Sequence, residues 1–536
     1  MKLGVLAKAV ALAAAASLGL AACSTGGDAA SPAATGSTGG AVIANGSEPQ
    51  NPLIPAMTNE TGGGRILDSI FAGLMYYDAT GAAQNEMADS IVADDPQHFT
   101  VTIKDGWMFS DGTPVTASSY VDAWQWNALS SNATLSSYFF EDIEGFSYDE
   151  ESELALEVVD DLTFTIALNK PAADFPQRLG YSAFAPLPES FFDDPEAYGE
   201  NPVGNGPYML AGEGAWEHNV QIELVPNPDY PGDRKAVNEG LVFKFYESQD
   251  AAYADLLANN LDVTDSVPDS SLATFTDELG DRAVNQPSAQ FQSFTIPERL
   301  DHFSGEEGKL RRQALSMAIN RQEITDVIFD GTRTPAADFT SPVIDGWTDS
   351  LAGAEVLAYN PDEAKKLWAE ADAISPWEGT FQIAYNADGG HQGWVDAVTN
   401  SIKNTLEIEA EGNPYPTFAE FRDDITDRKI ETAFRTGWQA DYPGLYNFLG
   451  PLYATDAGSN DGDYSSAEFD KMLADGISTE DPAARNTALQ QSQEILFQDL
   501  PAIPLWYSNV TGGYSENVSN VEFGWNSVPL YYAITK

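Results

Sequence analysis

Strand-like and helix-like patterns alternate along this chain in two blocks, 41–290 and 291–504, with one strand-like segment left over at the end. Such alternation selects an α/β fold. At 536 residues the chain exceeds what one hydrophobic core supports, so two or three lobes are expected. Ligands of open α/β sheets lie beyond the carboxyl ends of strands, and one strand end stands out. Lys429–Phe434 alternates as a short strand and runs into Arg435-Thr436-Gly437-Trp438-Gln439-Ala440-Asp441-Tyr442-Pro443. Glycine, an aromatic, a carboxylate and a second aromatic follow in turn, before a proline that forbids further ladder. Taken alone, Asp441 reads as a surface carboxylate on a loop.

Charge excludes some partners. Asp and Glu number 82 against 26 Lys and Arg, a net charge of −56. So acidic a chain is repelled by nucleic acid and by anionic lipid. The acidic residues are spread along the chain and say little about a ligand. The single Cys, at 23, rules out a disulfide framework, and the four His at 98, 218, 302 and 391 form no metal-binding pair, so no metal or cofactor is expected.

That Cys ends a segment with a function of its own. Lys2 and Lys8 precede an apolar run to Leu20, too short to span a bilayer and built like a secretion signal. Leu20-Ala21-Ala22-Cys23 resembles the bacterial lipobox. The resemblance implies a signal peptide over 1–22, cleavage before Cys23 and lipid on its sulfur. Two or three acyl chains anchor stably where one does not. Residues 23–40, rich in Gly, Ser, Thr and Ala, read as a flexible tether. The expected location is the extracellular face of the cell membrane.

Folded structure is expected from Ala41-Val42-Ile43-Ala44. Gly62-Gly63-Gly64 follows Asn59-Glu60-Thr61 but lacks the Gly-Lys-Ser/Thr ending of a phosphate loop, so it reads as a close backbone approach before a helix over 65–73. Further on, Lys104-Asp105-Gly106-Trp107-Met108-Phe109-Ser110-Asp111-Gly112-Thr113-Pro114-Val115-Thr116-Ala117 reads as strands broken by two Asp-Gly turns, then a helix capped by Thr116. This long, ordered match resembles the signature of family 5 extracellular solute-binding proteins, the peptide-, nickel- and sugar-binding receptors of ABC importers. Ser118-Ser119-Tyr120-Val121 departs from the family's usual Ala-x-Asp-Val. Pro202-Val203-Gly204-Asn205-Gly206-Pro207-Tyr208, Arg312–Arg321 and Asn360–Trp368 continue the resemblance, the last as a helix capped by Asn360 with Pro361 in its first turn.

The resemblance implies a two-lobe, periplasmic-binding-protein-like fold of type II, from the large peptide-receptor cluster, with an extra domain inserted in the first lobe. The expected parts are 41–85, 199–290 and 505–536 in lobe I, 86–198 as the insertion and 291–504 as lobe II. The expected hinges lie near 288–294 and 500–506. It also implies a non-catalytic monomeric receptor that delivers a peptide to an ABC permease, with Asp441 holding the peptide ammonium. Gly437, Trp438 and Gln439 lie on the strand beside the ligand, and Asn59, Glu60 and Thr61 on a first-lobe loop. Arg435 and His391 are the cationic candidates for the peptide carboxylate. Their plain alternatives are an internal salt bridge for Arg435 and a helix-start residue for His391. Phe291, Phe294 and Phe418 are candidate pocket walls or core.

The same receptor frame could hold an oligosaccharide on Trp438, Trp394 and Trp506, or, with less support, nickel or haem. A secreted hydrolase would need paired carboxylates, but among 82 acidic residues a pair carries no information, and no Gly-x-Ser-x-Gly or cysteine nucleophile is present. Asp456–Asp463 hints at calcium but misses the EF-hand spacing and reads as a solvated turn.

Overall fold

The computed structural model describes residues 40–58, 60–151 and 153–536. The secretion signal, Cys23, nearly all of the tether and Asn59 lie outside them. No helix among the described residues is long and apolar enough to cross a membrane.

A 12-stranded sheet forms the frame. Its path runs Glu409–Tyr415, Thr380–Asn386, Ala433–Gln439, Ala283–Thr295, Ala502–Tyr514, Val263–Thr264, Val42–Gly46, Leu241–Phe245, Gln221–Pro226 and Tyr208–Leu210. Two strands of 13 residues, Ala283–Thr295 and Ala502–Tyr514, pair antiparallel at its centre and link the wings. The sequence marked only Ile503–Tyr507 of the second. Ala283–Pro287 face Asn509–Gly513, and Gln290–Thr295 face Ala502–Ser508. The register slips between Pro287 and Gln290, where proline has no N–H for the ladder. The fold is the two-lobe α/β type, with this strand pair at the centre of its sheet.

A separate four-stranded sheet, ordered Ala88–Asp95, His98–Ile103, Thr163–Ala167, Leu156–Asp160, lies within the first block. Phe99, Val101, Ile103, Phe164 and Ile166 alternate inward at 0–1% exposure. They pack on the helix Ala117–Ala128, whose Trp124 meets Phe164 edge-on at 5.6 Å. Thr116 and Ser119 close the expected cap reciprocally. Gly106 and Gly112 take φ of 87° and 84°, as the two Asp-Gly turns require.

The glycine-rich stretch differs from expectation. The helix is Thr61–Ile70, so Gly62, Gly63 and Gly64 form its first turn. It starts early because the Glu60 carboxylate accepts the Gly63 N–H at 3.0 and 3.1 Å. A Cβ on Gly63 would sit 2.6 Å from Glu60 Oε1 and from Thr58 Cγ2, whereas one on Gly64 would meet nothing within 4 Å. The helix ends under Gly204-Asn205-Gly206. A Cβ on Gly204 would fall 2.0 Å from the Ile70 carbonyl oxygen. Asn205 bonds the Ala72 N–H and carbonyl, both at 2.9 Å. That motif is structural.

Candidate functional site

The strand around Gly437 is Ala433–Gln439, later and longer than the alternation of 429–434 indicates. Its ladder explains the shift. Phe434 to Gln439 pair residue by residue with Thr295 to Gln290, and this continuous pairing carries Gly437 within the strand. On its other side the strand pairs with Thr380–Asn386 only at Ala433 and Phe434. Among the described residues, no strand pairs with Arg435–Gln439 on that side. This row of main-chain donors and acceptors is open to an added strand.

Just past the open edge stands Asp441. Asn447, buried in the helix Leu445–Tyr453, accepts the Asp441 backbone N–H and the Trp438 indole N–H on Oδ1, both at 3.0 Å. Its Nδ2 donates to Asp441 Oδ2 at 3.0 Å. Burial pushes the Asp441 carboxyl up to about 6, against the Asn447 bond, which favours the ionised form. Among the described residues Asp441 makes no ion pair.

Two cavities meet this strand. The larger, about 830 Å³, is lined by Glu60, Thr61, Arg65, Asp68, Gln290, Gln439 and Asp441, among others. Thr61, Arg65 and Asp68 share one helix face at spacings of four and three. Arg65 is bonded to Asp265. Arg234 grips the buried Glu86 at 2.8 and 2.9 Å. Part of the cavity floor is a row across four strands, Gln439–Gln290–Ser508–Arg333. Arg333 makes no ion pair among the described residues, and burial holds its guanidinium below its usual value. Ser527 Oγ and Asn509 Oδ1, on residues that line the cavity, are buried with no protein partner. The smaller cavity, about 350 Å³, is lined by Arg435, Thr436, Gly437 and Trp438, with Phe291, Phe418, Phe421, Ile425 and Tyr453. Ser293, Thr295 and Thr436 place hydroxyls together on its wall, Thr436 bonding the other two at 2.7 and 3.2 Å.

The expected residues therefore divide. Asp441, Gln439, Glu60 and Thr61 line the larger cavity; Gly437, Trp438 and Arg435 line the smaller. His391 lines neither and stands at the N-cap of the helix Gln392–Leu406, where Nδ1 accepts the Trp394 indole N–H at 3.1 Å. The Arg435 Nε donates to Asn386 at 3.0 Å, and its guanidinium lies over Phe418 at 5.5 Å. Phe291 and Phe418 are cavity walls, while Phe294 is core. Trp394 and Trp506 are 3% and 1% exposed and pack edge-on to each other at 5.5 Å, so neither is a ligand platform. The 456–463 loop spends its carboxylates on arginine: Asp461 on Arg422, and Asp463 on Arg299 and Arg428.

Sequence reasoning missed Asp68, Tyr77, Tyr181, Arg333 and Asn447. The 61, 65, 68 polar stripe was a usable signal for Asp68; the others are assembled by distant pairing. It also missed a contact between segments 142–178 and 442–477. Arg178 bonds Asp142 at 2.6 Å and Asp174 at 3.4 Å, and its guanidinium carbon lies 5.2 and 5.9 Å from the Tyr446 and Tyr442 rings. Nearby, the Ala173 N–H donates to the Ile477 carbonyl at 2.6 Å.

Known proteins share this architecture. The oligopeptide-binding protein OppA of Bacillus subtilis is 23% identical over 493 residues, 88% of each chain. The periplasmic oligopeptide-binding protein OppA of Salmonella typhimurium is 26% identical over 480 residues, 86% of each chain. The solved Escherichia coli murein tripeptide binding protein MppA superposes with a TM-score of 0.76 at 22% identity, covering 92% of this chain and 98% of that one. Residues 82–460 match the family described as bacterial extracellular solute-binding proteins, family 5 middle. Its members bind solutes and are not enzymes. With more than half its length matched, the chain belongs to the family 5 extracellular solute-binding proteins.

Proposed function

We propose that this protein captures short peptides in the cleft and hands them to the membrane subunits of an ABC importer. The observation that carries the reading is the open edge of Arg435–Gln439 ending at Asp441. An extended peptide added to that edge gains main-chain bonds that ignore sequence. Its ammonium then meets a desolvated carboxylate with no cation of its own. The relatives named for oligopeptide binding support the same choice. Arg333 in the larger cavity, beside the paired Arg65 and Arg234, and Arg435 in the smaller, beside the paired Arg422, are the proposed cations for a ligand carboxylate, so peptides of different length would end on different residues. Glu60 and Thr61 form the facing wall; Asn59 and His391 stay candidates by resemblance alone.

The lobes are assigned as 41–85, 199–290 and 505–536 against 291–504, with 86–198 inserted. The register slip beside Gln290 suits a hinge in the paired strands, and receptors of this type close by rigid-body motion. Lipid on Cys23 would hold a monomeric receptor at the extracellular face of the membrane. Replacing Cys23 with Ala should move the protein from the membrane fraction to the medium.

Calorimetry with a free-amino tetrapeptide and its N-acetylated form tests the reading. Binding of the free peptide alone is expected, and equal binding of both excludes the ammonium role. An oligosaccharide is the second reading. Burial of Trp394 and Trp506 leaves Trp438 as its one proposed platform, and a uniform hexose ladder co-purifying in native mass spectrometry would favour it.

A further inference from the structure

Two carboxylates from different elements line the larger cavity. Asp441 comes from the segment after the open strand, and Asp68 from the helix Thr61–Ile70. Both act on the same two phenols: Tyr77 and Tyr181 are kept protonated first by burial and then by the negative charge of Asp441 and of Asp68. Trp525 stands edge-on to Tyr77 at 5.6 Å and lines the same space. The cavity therefore carries these two negative groups together with aromatic rings in its lining.

Apart from Arg333 and Glu247, the other charges around this space are matched among the described residues. Arg65 is held by Asp265 and Arg234 by both oxygens of Glu86. Glu60 caps a helix, and Asp78 accepts from Thr80, Ala82 and Gln84 in its own turn. Among the described residues the Asp68 carboxylate makes neither hydrogen bond nor ion pair, although the Arg234 charge acts on it from a distance. Two carboxylates lining one space, Asp441 half-buried and Asp68 exposed to the cavity, favour a ligand with two positive charges, because one ammonium neutralises only one of them. Tyrosine and tryptophan rings add an attraction for a cation.

We propose that Asp68 is a second cation anchor, and that the cavity selects peptides whose first residue is lysine or arginine. The α-ammonium sits on Asp441, and the side-chain cation sits on Asp68 between Tyr77 and Tyr181. The proposal rests on the peptide reading and narrows it to a ligand class.

Calorimetry on the intact receptor compares Lys-Ala-Ala-Ala with the same peptide starting in norleucine, which keeps the length and loses the side-chain charge. The lysine peptide should bind about tenfold more tightly. Asp68→Asn should bring the ratio close to one, and Asp68→Glu should restore part of it. A wild-type ratio near one, or a preference that survives Asp68→Asn, overturns the assignment of Asp68 while leaving the peptide reading standing. Failure of the wild-type protein to bind either peptide overturns both.

Discussion

Asn447 brackets Asp441: its Oδ1 accepts the Asp441 backbone N–H and its Nδ2 donates to Asp441 Oδ2, each at 3.0 Å. The same Oδ1 takes the Trp438 indole N–H. One buried amide thus fixes both the proposed anchor and the aromatic wall beside it. Asn447→Asp would replace the donor with a like charge against a desolvated carboxylate. Affinity for free-amino peptides should fall by at least tenfold by calorimetry, and Asn447→Ala should cost about 1–3 kcal/mol of stability by denaturant titration, from the unpaired groups left behind.

The Asp441 carboxyl, pushed up to about 6 by burial, makes binding depend on pH in a defined direction. An ammonium pairs with the ionised form, so affinity should weaken as pH falls from 7 to 5. Stability of the empty receptor should run the other way. A carboxyl raised on folding contributes stability that is complete below its unfolded value and is lost as pH rises through about 6. Asp68, also raised to about 6 by burial, with Arg234 opposing and Glu86 reinforcing, adds in the same direction. Thermal unfolding of the ligand-free protein across this range, set beside calorimetry of the complex, checks both signs.

Gly437 separates recognition from folding. A Cβ there would have its nearest neighbours at 3.6 Å, an ordinary contact, and its backbone is not among the positive-φ glycines. Gly437→Leu should therefore leave stability within about 1 kcal/mol. It should still abolish peptide binding, because the new side chain enters the 350 Å³ cavity at the open edge. Unchanged affinity would show that ligand does not lie along that edge.

Arg178, with Lys170 beside it, supplies the positive charge of the contact with Tyr442 and Tyr446. Its loss strands Asp174 and, but for Lys170, Asp142 in buried surroundings. Arg178→Met should destabilise the protein by about 3 kcal/mol or more, seen as a lower denaturation midpoint. Asp174→Asn and Asp142→Asn, added to Arg178→Met, should recover part of that loss.

Local chemistry was legible in the sequence. The caps at Thr116 and Asn360 hold, because cap and first turn lie within four residues. So do the Asp-Gly turns. The strand near Gly437 was misplaced because its extent is set by Gln290–Thr295, more than 140 residues earlier. Trp394 and Trp506 looked like sugar platforms for the same reason: their edge-on packing joins segments over 100 residues apart, and no periodicity reports it. Asp441 could be singled out by its neighbours in the chain, but its partner Asn447 and the tyrosines opposite it could not.

The open edge of Arg435–Gln439 has a cost and a safeguard. An unpaired strand edge is a template for any extended chain, including a second receptor or a misfolded neighbour. Here the template is recessed beside two cavities rather than displayed at the rim of the sheet, with Glu409–Tyr415 and Tyr208–Leu210 as the terminal strands. Position inside the sheet therefore replaces display at its rim. On the proposed function, main-chain promiscuity, hazardous on an outer edge, becomes a means of accepting peptides of many sequences.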